Sequence, residues 1–243
     1  MDFATISSLN SSDHNTWTEK IFLTFDLDWA NDEVILDTIK ILEIAEVSAT
    51  WFVTHDTPLL RRLRQNPKFE LGIHPNFNYL LAGDSRNGKD SKEIIDRMMN
   101  LVPEAKCVRS HSMMQSSVLL DIFAAVGLTH DVNHFIPASI GLKLRPWILW
   151  NGMTRVPYFW EDDITCIYNS KGMREPSITD VVRSGDGVKV FDFHPIHIFL
   201  NTECISRYER TRKIHQYAST LLHQRYQGYG ARNMLKEILL YND

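Results

Sequence analysis

The sequence predicts an α/β protein built on a parallel sheet and folded as one domain. Three observations predict this. Strand-like runs alternate with helix-like runs along most of the chain, the pattern that yields parallel sheets. The 243 residues exceed the common domain size, but alternating strands and helices reach this length as one unit. The composition, 44% hydrophobic and 23% charged, suits a chain that buries a large core.

Residues 1–20 form a polar lead-in rich in Ser, Thr and Asn, without the apolar centre of a secretory signal. No run reaches the ~18 apolar residues of a membrane span, and the expected location is the cytoplasm. Residues 21–243 are read as the single domain. Its strands are expected at 21–28, 49–54, 69–73, 106–109, 128–132, 154–159 and 188–194. Between them, 34–45 carries Ile35, Ile39 and Leu42 at helical spacing, and 59–63, 94–102 and 118–126 behave alike. Ser116 and Gly127 are placed to cap the last of these. Residues 141–150 and 160–176 interrupt the alternation as excursions. The amphipathic stretch 205–227 and the run 231–241 predict helices that close the domain or pair with a second subunit.

A formal net charge of −4 offers no broad attraction for phosphate backbones, so no nucleic-acid partner is expected. Cys107, Cys166 and Cys204 are odd in number and form no CxxC pair, which excludes a disulfide framework and predicts free thiols.

The chemistry gathers at the ends of predicted strands. In 21–28, a period of two sends Thr24, Asp26 and Asp28 to one face, with both carboxylates at the carboxyl end, where parallel α/β folds assemble active sites. Two adjacent carboxylates call for a cation or a shared proton, although a solvated turn pair is the plainer alternative. His74 follows strand 69–73, where Pro75 stops it, and is the next choice of metal ligand; a core histidine is the alternative. Arg109 ends 106–109 before Ser110 and His111, placed to hold a carboxylate ionised or to make a surface ion pair. Strand 188–194 puts Asp192 and His194 on one parity, and an imidazole arriving last at this rim is a candidate general acid.

Taken in order, these motifs resemble those of the NodB-homology polysaccharide deacetylases, carbohydrate esterase family four. Thr24-Phe25-Asp26-Leu27-Asp28 resembles the family's Thr-Phe-Asp-Asp. His74 with Asn78 resembles its His-x-x-x-His, with Asn where the second His belongs. Arg109-Ser110-His111 resembles its Arg motif, and Phe191-Asp192-Phe193-His194 its late Leu-x-His. The divergent WbmS-like branch is the nearest resemblance, carried by Gly72 to Phe77, Arg109 to His111 and Phe193 to Ile198, over most of the chain.

The resemblance implies a distorted, incomplete (β/α) barrel of about seven strands. It also implies one divalent metal ion, with zinc the first choice, and a metal-dependent hydrolase that removes an N-acetyl or similar acyl group from a sugar intermediate of surface-polysaccharide synthesis. By this mapping Asp28 and His74 are ligands, with Asn78 or His111 the third. Asp26 is the general base, Arg109 its orienting partner and His194 the general acid. Asp192, or an acid among Glu161, Asp162 and Asp163, would orient a histidine, with His197 in support. The substrate would be a nucleotide-linked or lipid-linked acetamido sugar. Trp29, Trp160, Glu161 and Asp162 are the expected substrate contacts, because aromatic faces suit sugar rings; the alternative is that such aromatics plug one end of the barrel. Asn78 motivates a second reading, a non-catalytic carbohydrate-binding or regulatory protein on the same scaffold. Phosphoester hydrolysis stands behind both, since no Gly-rich loop occurs at a strand–helix junction.

Overall fold

The central strand forms because Lys20–Asp26 alternates two apolar sets, one for each side of a sheet buried on both faces: Ile21, Phe22, Leu23 and Phe25 are all fully buried. In the computed structural model, which describes residues 1–173, 176–183 and 187–241, ten strands form one curled half-barrel sheet among the described residues. They are β1 (Asp2–Phe3), β2 (Lys20–Asp26), β3 (Ala49–Val53), β4 (Phe69–Ile73), β5 (Cys107–Val108), β6 (His130–Asp131), β7 (Trp147–Ile148), β8 (Thr154–Arg155), β9 (Trp160–Glu161) and β10 (Lys189–Phe193). The order is β7-β8-β6-β5-β4-β3-β2-β10-β9, with β1 also on β2. Every pairing is parallel except β7 with β8. The ends of the parallel strands therefore collect at one rim.

β10 runs beside β2 from Ile21 to Phe25. On the other edge β1 pairs with Lys20 and Ile21, and β3 takes over from Leu23. The lead-in is thus part of the core: Ile6, Leu9 and Trp17 are buried, and Ile6 N donates to Thr50 Oγ1 at 3.0 Å.

Helices cover the outside of the sheet. They are α1 (Asp32–Ala45), α2 (Leu59–Gln65), α3 (Asn78–Leu81), α4 (Ser91–Leu101), α5 (Ser117–Ala125), α6 (Asp162–Ser170), α7 (Ile178–Arg183), α8 (Pro195–Leu200), α9 (Ile205–Thr211), α10 (Ala218–Leu222) and α11 (Ala231–Leu239). Side-chain caps set several starts: Asn31 accepts from Glu33 N, Asp90 from Glu93 N and Ser116 from Leu119 N. α1 buries Val34, Ile35, Ile39 and Leu42. No helix of the described residues is long and apolar enough to cross a membrane. Cys107, Cys166 and Cys204 are free, as expected.

All seven expected strands occur, shorter at most ends. The short strands β1, β7 and β9 were not expected. β7 lies in the excursion 141–150, and the excursion 160–176 supplies β9 and α6; its positions 174 and 175 lie outside the described residues.

Gly72 brings two site-bearing strands together. A Cβ there would lie 2.7 Å from Cys107 Sγ and 2.8 Å from Cys107 O, so only glycine lets β4 approach β5 this closely and set His74 beside Arg109.

Phe25 stacks on Trp51 with centroids 4.6 Å apart and lies 6.0 Å from Phe193, joining three strands in one apolar layer. Phe25→Ala should lower unfolding free energy by about 3–5 kcal/mol in urea melts, the cost of a large core cavity. A loss below about 1 kcal/mol would show that the layer relaxes to fill the space.

Candidate active site

At the end of β2 the chain turns sharply. Ala30 N donates to Leu27 O at 2.9 Å, and the two residues between, Asp28 and Trp29, have φ of 41° and 54°. Such left-handed angles are costly for a non-glycine residue and persist where the surroundings enforce them. Here Trp29 N donates to Thr54 Oγ1, and the Trp29 ring meets His111 edge-on at 5.1 Å. The turn directs the Asp28 carboxylate back into a cleft of about 440 Å³ lined also by Asp26, His74, Arg109, His111, Tyr158, Glu161 and His194.

Asp28 Oδ1 lies 3.3 Å from His74 Nε2 and 3.2 Å from His111 Nδ1, and those two nitrogens are 3.3 Å apart. A tetrahedral ion with bonds of about 2.0–2.1 Å spaces its ligand atoms by about 3.3–3.4 Å. This triangle therefore already has the edges that a zinc-like ion requires. Asp28 Oδ1 is buried and has no hydrogen-bond partner, so a lone-pair donor is left facing two imidazole nitrogens, and the residues fit a divalent cation. Burial alone would raise the Asp28 carboxyl, but the adjacent His111 and His74 imidazoles, with His194 beyond them, hold it well below the usual carboxylate range. His74 turns its other nitrogen, Nδ1, toward Asp26 Oδ2 at 3.4 Å.

Asn78 is outside this group. It is exposed, and its Nδ2 donates to Ser112 Oγ at 3.0 Å. His111 occupies the third corner because the 3₁₀ turn His111–Met113 is held against the end of β4, with His111 N donating to Pro75 O.

Arg109 is buried between the rings of Phe52 and Tyr158, 4.7 and 4.5 Å from their centroids. Its Nη1 donates to Thr24 Oγ1 at 2.9 Å, to Asp26 Oδ1 at 3.0 Å and to Asp192 Oδ1, while Nε donates to Val132 O. Two carboxylates thus share one guanidinium. Burial, with the charge of Asp26 added, pushes the Asp192 carboxyl up despite the pull of Arg109. Asp192, one of the acids expected to orient a histidine, instead serves Arg109 and Thr24.

His194 is oriented by Asp162, expected above both among the acids that could orient a histidine and among the substrate contacts. Asp162 Oδ1 meets His194 Nδ1 at 2.7 Å, and Oδ2 accepts from His194 N at 2.8 Å, so both carboxylate oxygens are committed to one residue. Burial would lower the His194 imidazole, but the adjacent Asp162 charge and hydrogen bond, with Asp28 beyond, lift it well above its ordinary range. Its free Nε2 points toward Asp28 Oδ2 at 3.7 Å. His197 is buried behind His194, the rings edge-to-face at 5.7 Å, with Nδ1 on Thr202 Oγ1.

Trp160 is buried against Phe191 and Phe193 and has no open face for a sugar; it serves the core, because β9 is paired inside the sheet. Glu161 reaches the cleft and accepts from Tyr158 OH, and burial beside Asp163 and Asp192 pushes its carboxyl well up. Trp29 is 38% exposed and keeps a ring face available. Sequence reasoning missed Tyr158, whose ring covers Arg109 and whose hydroxyl donates to Glu161. It also gave Thr24 no role, although its parity with Asp26 was visible.

The sequence matches the family model of WbmS-like polysaccharide deacetylases over residues 23–212. A solved structure from Bordetella bronchiseptica, described as a polysaccharide deacetylase involved in O-antigen biosynthesis, is 44% identical, with a TM-score of 0.92 over 100% of this chain and 98% of that chain. This shows the fold to be the incomplete (β/α) barrel expected. A 4-alpha-glucanotransferase from Thermococcus litoralis aligns with 89% of this chain and 38% of its own at 13% identity and a TM-score of 0.48, too remote to inform fold or function. Comparison with curated sequences finds no match.

Arg109→Met strands Asp26 and Asp192 together without a counter-charge and should cost about 3–5 kcal/mol in urea melts. Adding Asp192→Asn should recover part of that loss. If the single variant loses less than about 1 kcal/mol, as an exposed pair would, the guanidinium does not hold the two carboxylates together.

Proposed function

Because the chain belongs to the WbmS-like polysaccharide deacetylase family, we propose that it is a metal-dependent hydrolase removing an N-acetyl or similar acyl group from a sugar intermediate of surface-polysaccharide synthesis. The observation that carries this reading is the meeting of three arrangements in one cleft: the Asp28, His74 and His111 triangle, the Arg109-bound Asp26, and the Asp162-bound His194. A divalent cation held by Asp28, His74 and His111, zinc as first choice, would polarise the acyl carbonyl and acidify water at the site.

The remaining work falls to this chain's own side chains. Asp26 accepts the proton that water loses as its oxygen bonds to the acyl carbon, and Arg109 keeps that carboxylate aimed. As the C–N bond breaks, His194 gives its Nε2 proton to the leaving nitrogen, with Asp162 holding Nδ1 and stabilising the imidazolium. Water and amide thus become a carboxylic acid and an amine, after which Asp26 gives its proton to solvent and His194 takes one back. With His111 rather than Asn78 as third ligand, the substitution that motivated a non-catalytic reading no longer touches the ligand set.

The neighbour's described role in O-antigen biosynthesis supports an acetamido sugar carried on a nucleotide or lipid as substrate, handled in the cytoplasm. Trp29, the exposed aromatic beside His111, is the proposed sugar contact.

Elemental mass spectrometry on protein purified without chelator should find near-stoichiometric transition metal, and Asp28→Asn should lose it. Full occupancy in Asp28→Asn would sink the ligand assignment. Asp26→Asn should retain the metal while acetate release from acetamido sugars drops about 10²–10⁴-fold, the usual contribution of a positioned base. A metal-loaded, fully active Asp26→Asn enzyme would reject Asp26 as the base.

A further inference from the structure

We propose that Asn133 is a positioning residue that sets the metal affinity of the site by pinning both ends of the 110–115 loop, which carries His111. The inference rests on the reading of His111 as a ligand. Asn133 is buried just beyond β6 and touches none of the three corner residues. Its Oδ1 accepts from Ser110 N at 2.7 Å, immediately before His111. Its backbone carbonyl accepts from Gln115 Nε2 at 3.4 Å, at the far end of the same loop. The amide itself is held, since Nδ2 donates to Asp131 Oδ1 at 2.6 Å. Asp131 lies 2.5 Å from Arg155 Nε, and Arg155 Nη1 returns to Gln115 Oε1 at 2.7 Å. Asn133, Asp131, Arg155 and Gln115 thus form a closed ring of polar contacts around the loop's two ends.

The loop needs such a frame. Ser112 and Met113 follow His111 at φ of 57° and 53°, a conformation non-glycine residues hold only when surroundings impose it. His111 itself is partly exposed, and its ring is fixed by Trp29 on one side and His74 on the other. The corner geometry depends on where the loop backbone sits, and Asn133 and Pro75 O are what set it. Asparagine suits position 133 for a stated reason: the site needs an acceptor for Ser110 N and a donor for Asp131 at once, and an amide supplies both. Aspartate would keep the acceptor, lose the donor and oppose a second buried carboxylate. Arg109 keeps its bonds to Thr24, Asp26 and Asp192 without Asn133, so removing the amide acts on the His111 corner.

The test is titration of Zn²⁺ into metal-stripped full-length protein against a chromophoric chelator. Asn133→Ala should weaken the Zn²⁺ Kd by about tenfold or more, as loss of an outer-shell partner does. In a His111→Ala background the same change should alter Kd by less than about twofold, since residues that act through one another are not additive. A wild-type Kd in Asn133→Ala, or an undiminished loss in the His111→Ala background, overturns the inference. If Asn133→Ala does not fold, Gln115→Ala decides: it removes only the far pin and should weaken Kd by more than about twofold, and an unchanged Kd overturns the inference. Wild-type protein that takes up no Zn²⁺ would instead overturn the ligand reading, and this inference with it.

Discussion

A guanidinium shut away from water lies at the centre of the barrel rim, and the strands around it supply what its charge requires. Arg109 leaves the end of β5 and is answered by Thr24 and Asp26 from β2, by Asp192 from β10 and by the Val132 carbonyl beyond β6. Burying such an ion costs several kcal/mol unless opposite charge and acceptors surround it, so the four partners and the two flanking rings come as a set. The strand order makes the set possible. β10 is hydrogen-bonded to β2, which brings Asp192 opposite Thr24, and Gly72 lets β4 close on β5.

That charge also divides the acids into kinds. Asp26 and Asp192 share Arg109, and burial pushes Asp192 up. Glu161 is pushed up as well, buried beneath Tyr158 beside Asp163. Asp162 spends both oxygens on His194 and lifts the imidazole. One cleft thus holds the proposed base, the proposed acid and the proposed cation-binding corner, kept distinct by which partner each carboxylate has, the usual way neighbouring groups of similar chemistry come to behave differently.

The metal corner is built from strained backbone as well as side chains. Asp28 and Trp29 on one side, and Ser112 and Met113 on the other, adopt left-handed angles, and each turn is tied by hydrogen bonds to a neighbouring strand's exit. Strain of this kind persists only where rigid neighbours enforce it. Here the rigid neighbours are the exits of β3, β4 and β6, which supply Thr54, Pro75 and Asn133.

Seven of the ten strands, the main helices and the placement of Asp26, Asp28, His74, Arg109 and His194 at strand ends were all legible from the chain, because a period of two or 3.6 is a local property that needs no knowledge of neighbours. Which side chains touch was not legible. The third corner fell to His111 over Asn78 because β4 and β5 are adjacent and the turn after β5 folds back on Pro75. Asp162 faces His194 because β9 lies beside β10, and Asp192 faces Arg109 because β10 lies beside β2. Trp160 went to the core for the same reason. The sequence by itself determined which residues reach the rim. Only the tertiary structure decided their partners, because lateral strand order and the paths of strained turns arise from contacts between residues far apart in the chain.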